Sequence, residues 1–262
     1  MNVSPVGQIY SDYKYNPNFT SCTRIYDPRK ITDLDIFVKD KVKTTTGPFR
    51  KDQNWDDVMR YIFWNFEGEK KVNIACLACS DNSEPLSYAL YLHSKTPKSY
   101  YDKFCITGSD IDPEMIKIAK SGKINLSFED FTSMRKYIKN IHQYFKENGA
   151  PLKITNNVDY EKMSYKIDPE VHSMMKFKKS DILTEVKNIN PKEYYVLSVK
   201  NVFPYLKESY TNEVLETMAK KLKSGSLFVY GKYDLLVPNF KNKLLNLGFF
   251  EPMPGECFVQ KI

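Results

Sequence analysis

The alternation of apolar and polar positions along the chain predicts strands that alternate with helices. Val72–Leu77 is apolar except for Asn73, which is typical of a strand buried on both faces of a parallel sheet. A polar turn at residues 80–83 follows, and Glu84-Pro85 then begins a helix, since proline and a carboxylate both suit the first helical turn. In open α/β sheets the ligand binds at such a turn, at the carboxyl end of the strand.

A second unit of the same kind follows along the chain. Residues 104–108 predict a short strand, Asp112 is the expected helix N-cap, and Pro113 stands at the first helical position. Asp110 closes the strand, where a carboxylate can accept hydrogen bonds from the two hydroxyls of a ribose. The alternative for Asp110 is a second helix cap.

The remaining periodicity predicts the rest of an α/β fold. Apolar runs predict further strands at 194–199, 226–230 and 256–261, and helical spacing predicts helices at 55–66, 123–150, 210–222 and 240–247. Short alternating pieces at about 153–177 predict a small inserted β-ribbon. The fold class is therefore a doubly wound, mostly parallel α/β sheet. Residues 1–43 are predicted to form an arm with a short helix at 31–38, and residues 44–262 the main domain.

Composition and charge limit the classes of function. The formal net charge is +7, but the lysines are scattered, which favours a solvated surface over a nucleic-acid site, although nucleic acid stays open as a partner. No apolar run approaches the roughly 20 residues of a membrane span, and no signal peptide is recognisable, so we expect a cytoplasmic protein with reduced thiols and no membrane insertion. Cys76 and Cys79 form an isolated C-x-x-C that indicates packing, and no metal is expected.

Five stretches resemble the CheR-type chemoreceptor glutamate methyltransferases. ACSDNSEPLSYA at 78–89 resembles ACSTGEEPYSLA, SDIDPEMIKIAKSG at 109–122 resembles TDID…L..AR.G, and KNVFPYL at 200–206 resembles RNVxIYF. Weaker matches are TGPFR at 46–50 with TxFFR, and residues 165–183 with YxVxPxLRxxVxFxxxNLL. Their order and spacing agree from about residue 44 to about residue 260.

The resemblance implies a Rossmann-like methyltransferase that uses S-adenosylmethionine and releases S-adenosylhomocysteine. Glu84 would lie beside the methionine end of the cofactor, Asp110 would bind the ribose, and Asp181 with Ile182 would border the adenine. The other residues implied to line the cofactor are Thr46, Arg50, Ala78 and Asn201.

The resemblance also implies a protein carboxylate as the acceptor. Such a group is ionised at pH 7, so methyl transfer needs alignment and desolvation rather than a general base. Arg50 would hold the carboxylate and Tyr205 would orient one oxygen. The sequence departs from the family at the turn glycine, which is Asn82, at the first glutamate, which is Ser83, and at the arginine before Asn-Val, which is Lys200.

Two other classes of function stay open at this point. One is a methyltransferase acting on another acceptor, because Asn201-x-x-Pro204-Tyr205 loosely resembles the NPPY pocket of N-methyltransferases. The other is a binding module that keeps the fold without catalysis, which the departures at Asn82 and Ser83 suggest. An ester that base hydrolyses would distinguish the carboxylate acceptor from both.

Overall fold

The structure is a computed structural model that describes residues 46–150 and 162–262. The predicted arm at 1–43, including its helix at 31–38, lies outside the described residues. So does the 153–161 part of the predicted β-ribbon.

The described chain alternates strands and helices, as the apolar pattern predicts. The strands are β1 (Val72–Leu77), β2 (Phe104–Asp110), β3 (Lys123–Ser127), β4 (Phe145–Glu147), β5 (Lys162–Ile167), β6 (Met175–Lys179), β7 (Tyr194–Val199), β8 (Leu227–Tyr230), β9 (Phe249–Phe250) and β10 (Phe258–Lys261). The α-helices are α1 (Trp55–Asn65), α2 (Ser83–Lys95), α3 (Lys98–Tyr101), α4 (Pro113–Lys120), α5 (Phe128–Arg135), α6 (Pro169–Ser173), α7 (Ile182–Lys187), α8 (Glu208–Lys221) and α9 (Phe240–Asn246). Three 3₁₀ turns lie at Ile141–Tyr144, Phe203–Tyr205 and Lys232–Leu236.

The main sheet has seven strands in the order β6-β2-β1-β7-β8-β10-β9. Neighbouring strands from β6 to β8 are parallel, and β10 runs antiparallel to β8 and β9. The central strand β1 is almost completely buried, as its continuous apolar run predicts. The doubly wound, mostly parallel sheet is therefore confirmed. Its five parallel strands end along one edge, which is where this class of sheet binds ligands.

A smaller antiparallel sheet with the order β3-β5-β4 accounts for the predicted β insertion, with different bounds. The helix predicted over 123–150 is wrong, because this stretch forms β3, the short helix α5, a 3₁₀ turn and β4. The assignment of 175–177 to the insertion is also wrong, since β6 pairs with β2 at the edge of the main sheet. The lysines that β6 exposes along this edge are Lys176, Lys178 and Lys179.

Helices cover both faces of the main sheet and bury their apolar stripes. On α1 the predicted residues Trp55, Val58, Met59 and Ile62 are fully buried. On α4, Asp112 accepts a hydrogen bond from the N–H of Glu114 and Pro113 follows it, as predicted.

Candidate functional site

The candidate site lies at the carboxyl edge of the parallel strands. β1 and β2 run in register so that Leu77 pairs with Ser109, and β7 and β8 end with Val199 beside Tyr230. The loops that leave these four strands therefore meet along one edge. They carry the predicted residues Ala78, Glu84, Asp110, Asn201 and Tyr205.

The turn between β1 and α2 has an unusual backbone. Ala78, Ser80 and Asn82 have φ angles of 54°, 51° and 85°, in the left-handed region that suits glycine. Such residues typically cost ~1–3 kcal/mol each and cluster at functional sites. Asn82 is the residue that stands in place of the expected glycine, and asparagine tolerates this region better than most side chains. Its amide is fully buried, and neither amide atom has a hydrogen-bond partner among the described residues.

Asp110 joins this turn to the end of β2. Its Oδ2 accepts the N–H of Ser80 at 2.8 Å, and its Oδ1 accepts the N–H of Asp112 at 2.9 Å. Burial raises the pKa of Asp110 above its ordinary value, against the effect of these N–H donors. A carboxylate has about four acceptor positions, so Asp110 keeps acceptor capacity beyond these backbone N–H groups.

Asp181 and Ile182 follow β6, beside the end of β2. The N–H of Ser180 donates to the carbonyl oxygen of Asp110 at 3.0 Å, which holds the two loops together. Asp181 Oδ1 accepts the N–H of Thr184 at 2.9 Å and so caps α7. Ile182 is buried at 8% exposure. Asp181 therefore has a structural role as a cap, and its predicted contact with an adenine stays a prediction.

Glu84 lies in the first turn of α2 and contacts the end of β7. Its Oε1 accepts the hydroxyl of Ser198 at 2.8 Å, and its Oε2 lies 3.4 Å from Lys200 Nζ. The Lys200 side chain is 4% exposed, and the Glu84 side chain is 12% exposed. A carboxylate predicted at the methionine end of the cofactor is thus paired with an ammonium of the protein itself.

The segment at 46–50 packs against α2 and α5. The N–H of Phe49 donates to Ser87 Oγ at 2.9 Å, and a Cβ at Gly47 would lie 2.5 Å from Asp130 Oδ1. Thr46 and Arg50 at its two ends are half-buried. The segment therefore runs close to both helices, and its two predicted site residues remain partly accessible.

Arg50 and Asp52 form an ion pair at the border of this segment. Arg50 Nε lies 3.9 Å from Asp52 Oδ2, and Asn201 Nδ2 donates to the same oxygen at 3.2 Å. Burial raises the pKa of Asp52, but the positive charges of Lys200 and Arg50 outweigh it and the net pKa is lower than usual. Asp52 therefore stays ionised beside the predicted acceptor arginine.

Asn201 adopts a left-handed conformation with φ 60° directly after β7. Asp234, fully buried, accepts the N–H groups of Asn201, Val202, Phe203 and Gly231 at 2.7–3.0 Å. These bonds hold the loops after β7 and β8 together, and a backbone N–H concavity of this kind binds anions. The half-buried Tyr205 stands in the 3₁₀ turn that follows.

The chemistry of these side chains fits S-adenosylmethionine. Asp110 offers hydrogen-bond acceptors for a pair of hydroxyl groups, and Glu84 offers an anionic oxygen to the aminoacyl end. Both follow adjacent strands and flank the strained turn at 78–82. The residues present thus match a ligand that joins a ribose to a charged amino acid.

Four residues of this site are not predicted from the sequence, namely Asp52, Gln53, Ser198 and Asp234. Asp52 and Gln53 contact the loop after β7, whereas Ser198 contacts Glu84 in α2. Asp234 joins the loops after β7 and β8. All of these contacts join residues far apart in the sequence, so no local pattern indicates them. In the sequence, the departure from the family arginine at Lys200 is the one available signal for this residue.

Two further observations concern metal and membrane. Among residues 46–150 and 162–262, no group of three or more His, Cys, Asp or Glu side chains is arranged to hold a metal ion. Over the same ranges, no helix has the length and apolarity needed to cross a bilayer.

Comparison with known proteins places the chain in a family. The model of the CheR methyltransferase SAM-binding domain matches residues 44–249. A chemotaxis protein methyltransferase from Listeria innocua is 22% identical over 209 residues, which cover 78% of this chain and 71% of that protein.

Solved methyltransferase structures are also similar. A TehB-like SAM-dependent methyltransferase from Corynebacterium glutamicum is 11% identical with a TM-score of 0.36, over 79% of this chain and 91% of that one. PKMT2 from Rickettsia typhi in complex with AdoHcy is 14% identical with a TM-score of 0.33, over 62% of this chain and 21% of that one. The chain thus spans about a fifth of the length of the Rickettsia protein.

Proposed function

The chain belongs to the CheR methyltransferase family and is an S-adenosylmethionine-dependent methyltransferase, and from this premise we propose that it methylates a carboxylate oxygen of a protein acceptor. The resemblance of its motifs to chemoreceptor glutamate methyltransferases supports this acceptor class. The scattered surface lysines offer no concentrated site for nucleic acid.

The cofactor is held by side chains at the edge of the sheet. When bound, S-adenosylmethionine supplies a methyl group on a sulfonium, which a carboxylate oxygen accepts while the carbon–sulfur bond breaks toward S-adenosylhomocysteine. Asp110 binds the ribose hydroxyls, and Glu84 faces the aminoacyl end. Asp181 and Ile182 border the base, and Ala78 in the turn allows close approach of the backbone. Each of these roles is part of the proposal.

The acceptor carboxylate is held by Arg50. A guanidinium offers two parallel N–H donors that match a carboxylate, so it fixes both oxygens and their direction. Asp52 lies beside Arg50 and limits the freedom of its side chain. Because the acceptor is already ionised near neutral pH, the residues around it have to align it and exclude water, and none has to remove a proton.

Tyr205, Asn201 and Thr46 complete the site. The Tyr205 hydroxyl donates a hydrogen bond to one acceptor oxygen, leaving the other to attack. Asn201 follows β7 at the same edge and closes the pocket, and Thr46 lines it from the segment that carries Arg50. The half-buried positions of Thr46, Arg50 and Tyr205 support these roles, since such side chains can contact both the protein and an incoming acceptor.

The observation that carries the proposal is the pairing of Arg50 with Asp52 close to the Glu84–Lys200 contact. The two residues that the proposal assigns to acceptor and cofactor, Arg50 and Glu84, thus belong to one connected group of charges. The test is methyl transfer from tritiated S-adenosylmethionine to proteins of the source cell, before and after carbodiimide amidation of their carboxyl groups. We expect label that is released as methanol by base and is lost after amidation. Base-stable label, or label on RNA or DNA, would overturn the carboxylate acceptor.

A further inference from the structure

Lys200 brings a buried positive charge into the middle of the candidate site. Its ammonium donates to Gln53 Oε1 at 2.7 Å and lies 3.4 Å from Glu84 Oε2 and 3.9 Å from Asp52 Oδ1. It also lies 5.0 Å from the centre of the Trp55 ring, within the range of a cation–π contact. Contacts from two separate parts of the chain, residues 52–55 and α2, therefore converge on one atom.

The two parts have different roles in the proposed function. Glu84 belongs to the cofactor side, and Asp52 is the ion-pair partner of Arg50 on the acceptor side. The side chains of Asp52 and Glu84 are each 12% exposed, so neither carboxylate is well solvated. Two poorly hydrated carboxylates close together are unfavourable without a cation. The ammonium of Lys200 is the cation that faces both.

We propose that Lys200 is a positioning residue of the methyl-transfer site, which fixes the cofactor carboxylate Glu84 and the Arg50–Asp52 pair in one arrangement. The inference rests on the proposed function for the roles of Glu84 and Arg50. Lys200 itself touches neither substrate; it acts through the two carboxylates and the Gln53 amide.

Loss of the ammonium has a defined electrostatic consequence. Without it, Asp52 and Glu84 share one site with only Arg50 as a counter-charge, so two poorly hydrated carboxylates repel each other. The thiols of Cys76 and Cys257 also face this group of charges. Burial raises the pKa of Cys76 well above its usual value and that of Cys257 to about 11, so neither thiol exchanges a proton between pH 6 and 8.

Calorimetric titration with S-adenosylhomocysteine tests the proposal without any acceptor. The variants are Lys200→Met, Lys200→Arg and Lys220→Met, the last removing an equal charge from an exposed position on α8. We expect Lys200→Met to bind at least about tenfold more weakly, because Glu84 loses a charge-assisted contact. We expect Lys200→Arg to recover most of the affinity and Lys220→Met to match the wild type.

Rescue by the conservative variant separates positioning from general packing. A guanidinium at position 200 again places a cation between Asp52 and Glu84, whereas the methionine only fills the space. Wild-type affinity in a folded Lys200→Met, or equal losses in Lys200→Met and Lys200→Arg, would overturn the proposal.

A paired variant keeps the test open if Lys200→Met does not fold. Asp52→Asn with Lys200→Met removes one charge of each sign, so the remaining carboxylate is no longer part of a like-charged pair. We expect this variant to bind more weakly than the wild type; wild-type affinity would overturn the proposal. Failure of methyl transfer to protein carboxylates would overturn the proposed function alone, since these readouts need only the cofactor product.

Discussion

The N–H of Ser80 donates to Asp110 Oδ2 across 2.8 Å, so the turn after β1 is held by the last residue of β2. Asp110 supports the backbone of the cofactor turn in addition to its proposed contact with the ribose. Replacing Asp110 is therefore expected to affect both the stability of the turn and the binding of the cofactor.

Asp110→Ala is expected to weaken S-adenosylhomocysteine binding and to lower the free energy of unfolding. It leaves the N–H groups of Ser80 and Asp112 without their acceptor, and such losses cost ~1–3 kcal/mol. Calorimetric titration and urea unfolding measure the two effects. Asp102→Ala, at an exposed carboxylate after α3, is the matched control and is expected to change neither. Unchanged cofactor affinity in a folded Asp110→Ala would contradict the ribose role.

Asn82→Gly is expected to raise the free energy of unfolding by about 1 kcal/mol. Glycine adopts φ 85° without steric cost, and the substitution removes a buried amide that has no partner among the described residues. The greater freedom of glycine in the unfolded chain opposes the gain by ~0.4–1 kcal/mol. Asn140→Gly, which is also left-handed but exposed, is expected to gain less. Equal gains at both positions would show that the buried amide carries no penalty.

Asp234 is expected to make stability depend on pH between about 4 and 7. Burial raises the pKa of its carboxyl from 3.8 to about 7, against the effect of backbone N–H groups that favour the anion. A raised native pKa means that its stabilising contribution is complete below about pH 4 and is lost as the pH rises through about 7. The slope contributed by one group is at most ~1.4 kcal/mol per pH unit.

The measurement is urea unfolding of the wild type and Asp234→Asn across this range. The difference between the two proteins in free energy of unfolding should change with pH, because only the wild type gains the proton. Asp234→Asn should also be less stable at every pH, since an amide group would face backbone N–H donors. Parallel curves for the two proteins would exclude titration of Asp234 in this range.

Arg50→Lys is expected to lower kcat/KM for methyl transfer by at least about tenfold. Lysine keeps the charge but cannot offer the two parallel donors that align a carboxylate. Tritium transfer to acceptor protein, scored as base-labile methanol, provides the rate. Lys51→Arg, at the neighbouring exposed residue, is the control. A rate for Arg50→Lys equal to that of the wild type would remove Arg50 from the acceptor site.

Tyr205→Phe is expected to reduce kcat more than it changes S-adenosylhomocysteine affinity. The substitution deletes the hydroxyl that is proposed to orient an acceptor oxygen and keeps the ring. Steady-state rates and calorimetry on the same preparations separate the two quantities. An equal loss of both would assign Tyr205 to cofactor binding instead.

The sequence predicted those features that depend on neighbouring residues. Asp112 and Pro113 cap α4 as expected, and Val72–Leu77 forms the buried central strand, because both signals are contained in a few consecutive positions. The apolar residues of the stretch at 123–150 have helical spacing, which predicts a helix where the structure has none of that length. Its β3 strand is stabilised by pairing with β5, for example between Lys123 and Lys166, and pairing at that distance in the chain leaves no local pattern.

In the candidate site, too, short motifs can be predicted from the sequence and contacts between distant residues cannot. The motifs at 78–84 and 110 each lie within a few consecutive positions, and the structure places them side by side after β1 and β2, while their contacts with the cofactor stay a prediction. The contacts of Lys200 with Gln53 and of Asp234 with Asn201 join residues 147 and 33 positions apart, so no local pattern predicts them. Burial of a charge becomes visible only when its partners are known, and those partners are set by the fold.

The hydrogen bond between Lys200 and Gln53 joins residues 147 positions apart, so it can form only late in the synthesis of the chain. The first half of the chain contains Glu84, Asp52 and Arg50, yet during synthesis Glu84 lacks its contact with Lys200 until β7 has emerged and paired with β1. A nascent or truncated chain that ends before β7 therefore lacks the completed site. Cofactor binds only the finished fold, and at a hundredfold excess over its dissociation constant it would add ~2.7 kcal/mol to the free energy of unfolding. Completion of β7 is therefore the step after which bound cofactor can add to the stability of the fold.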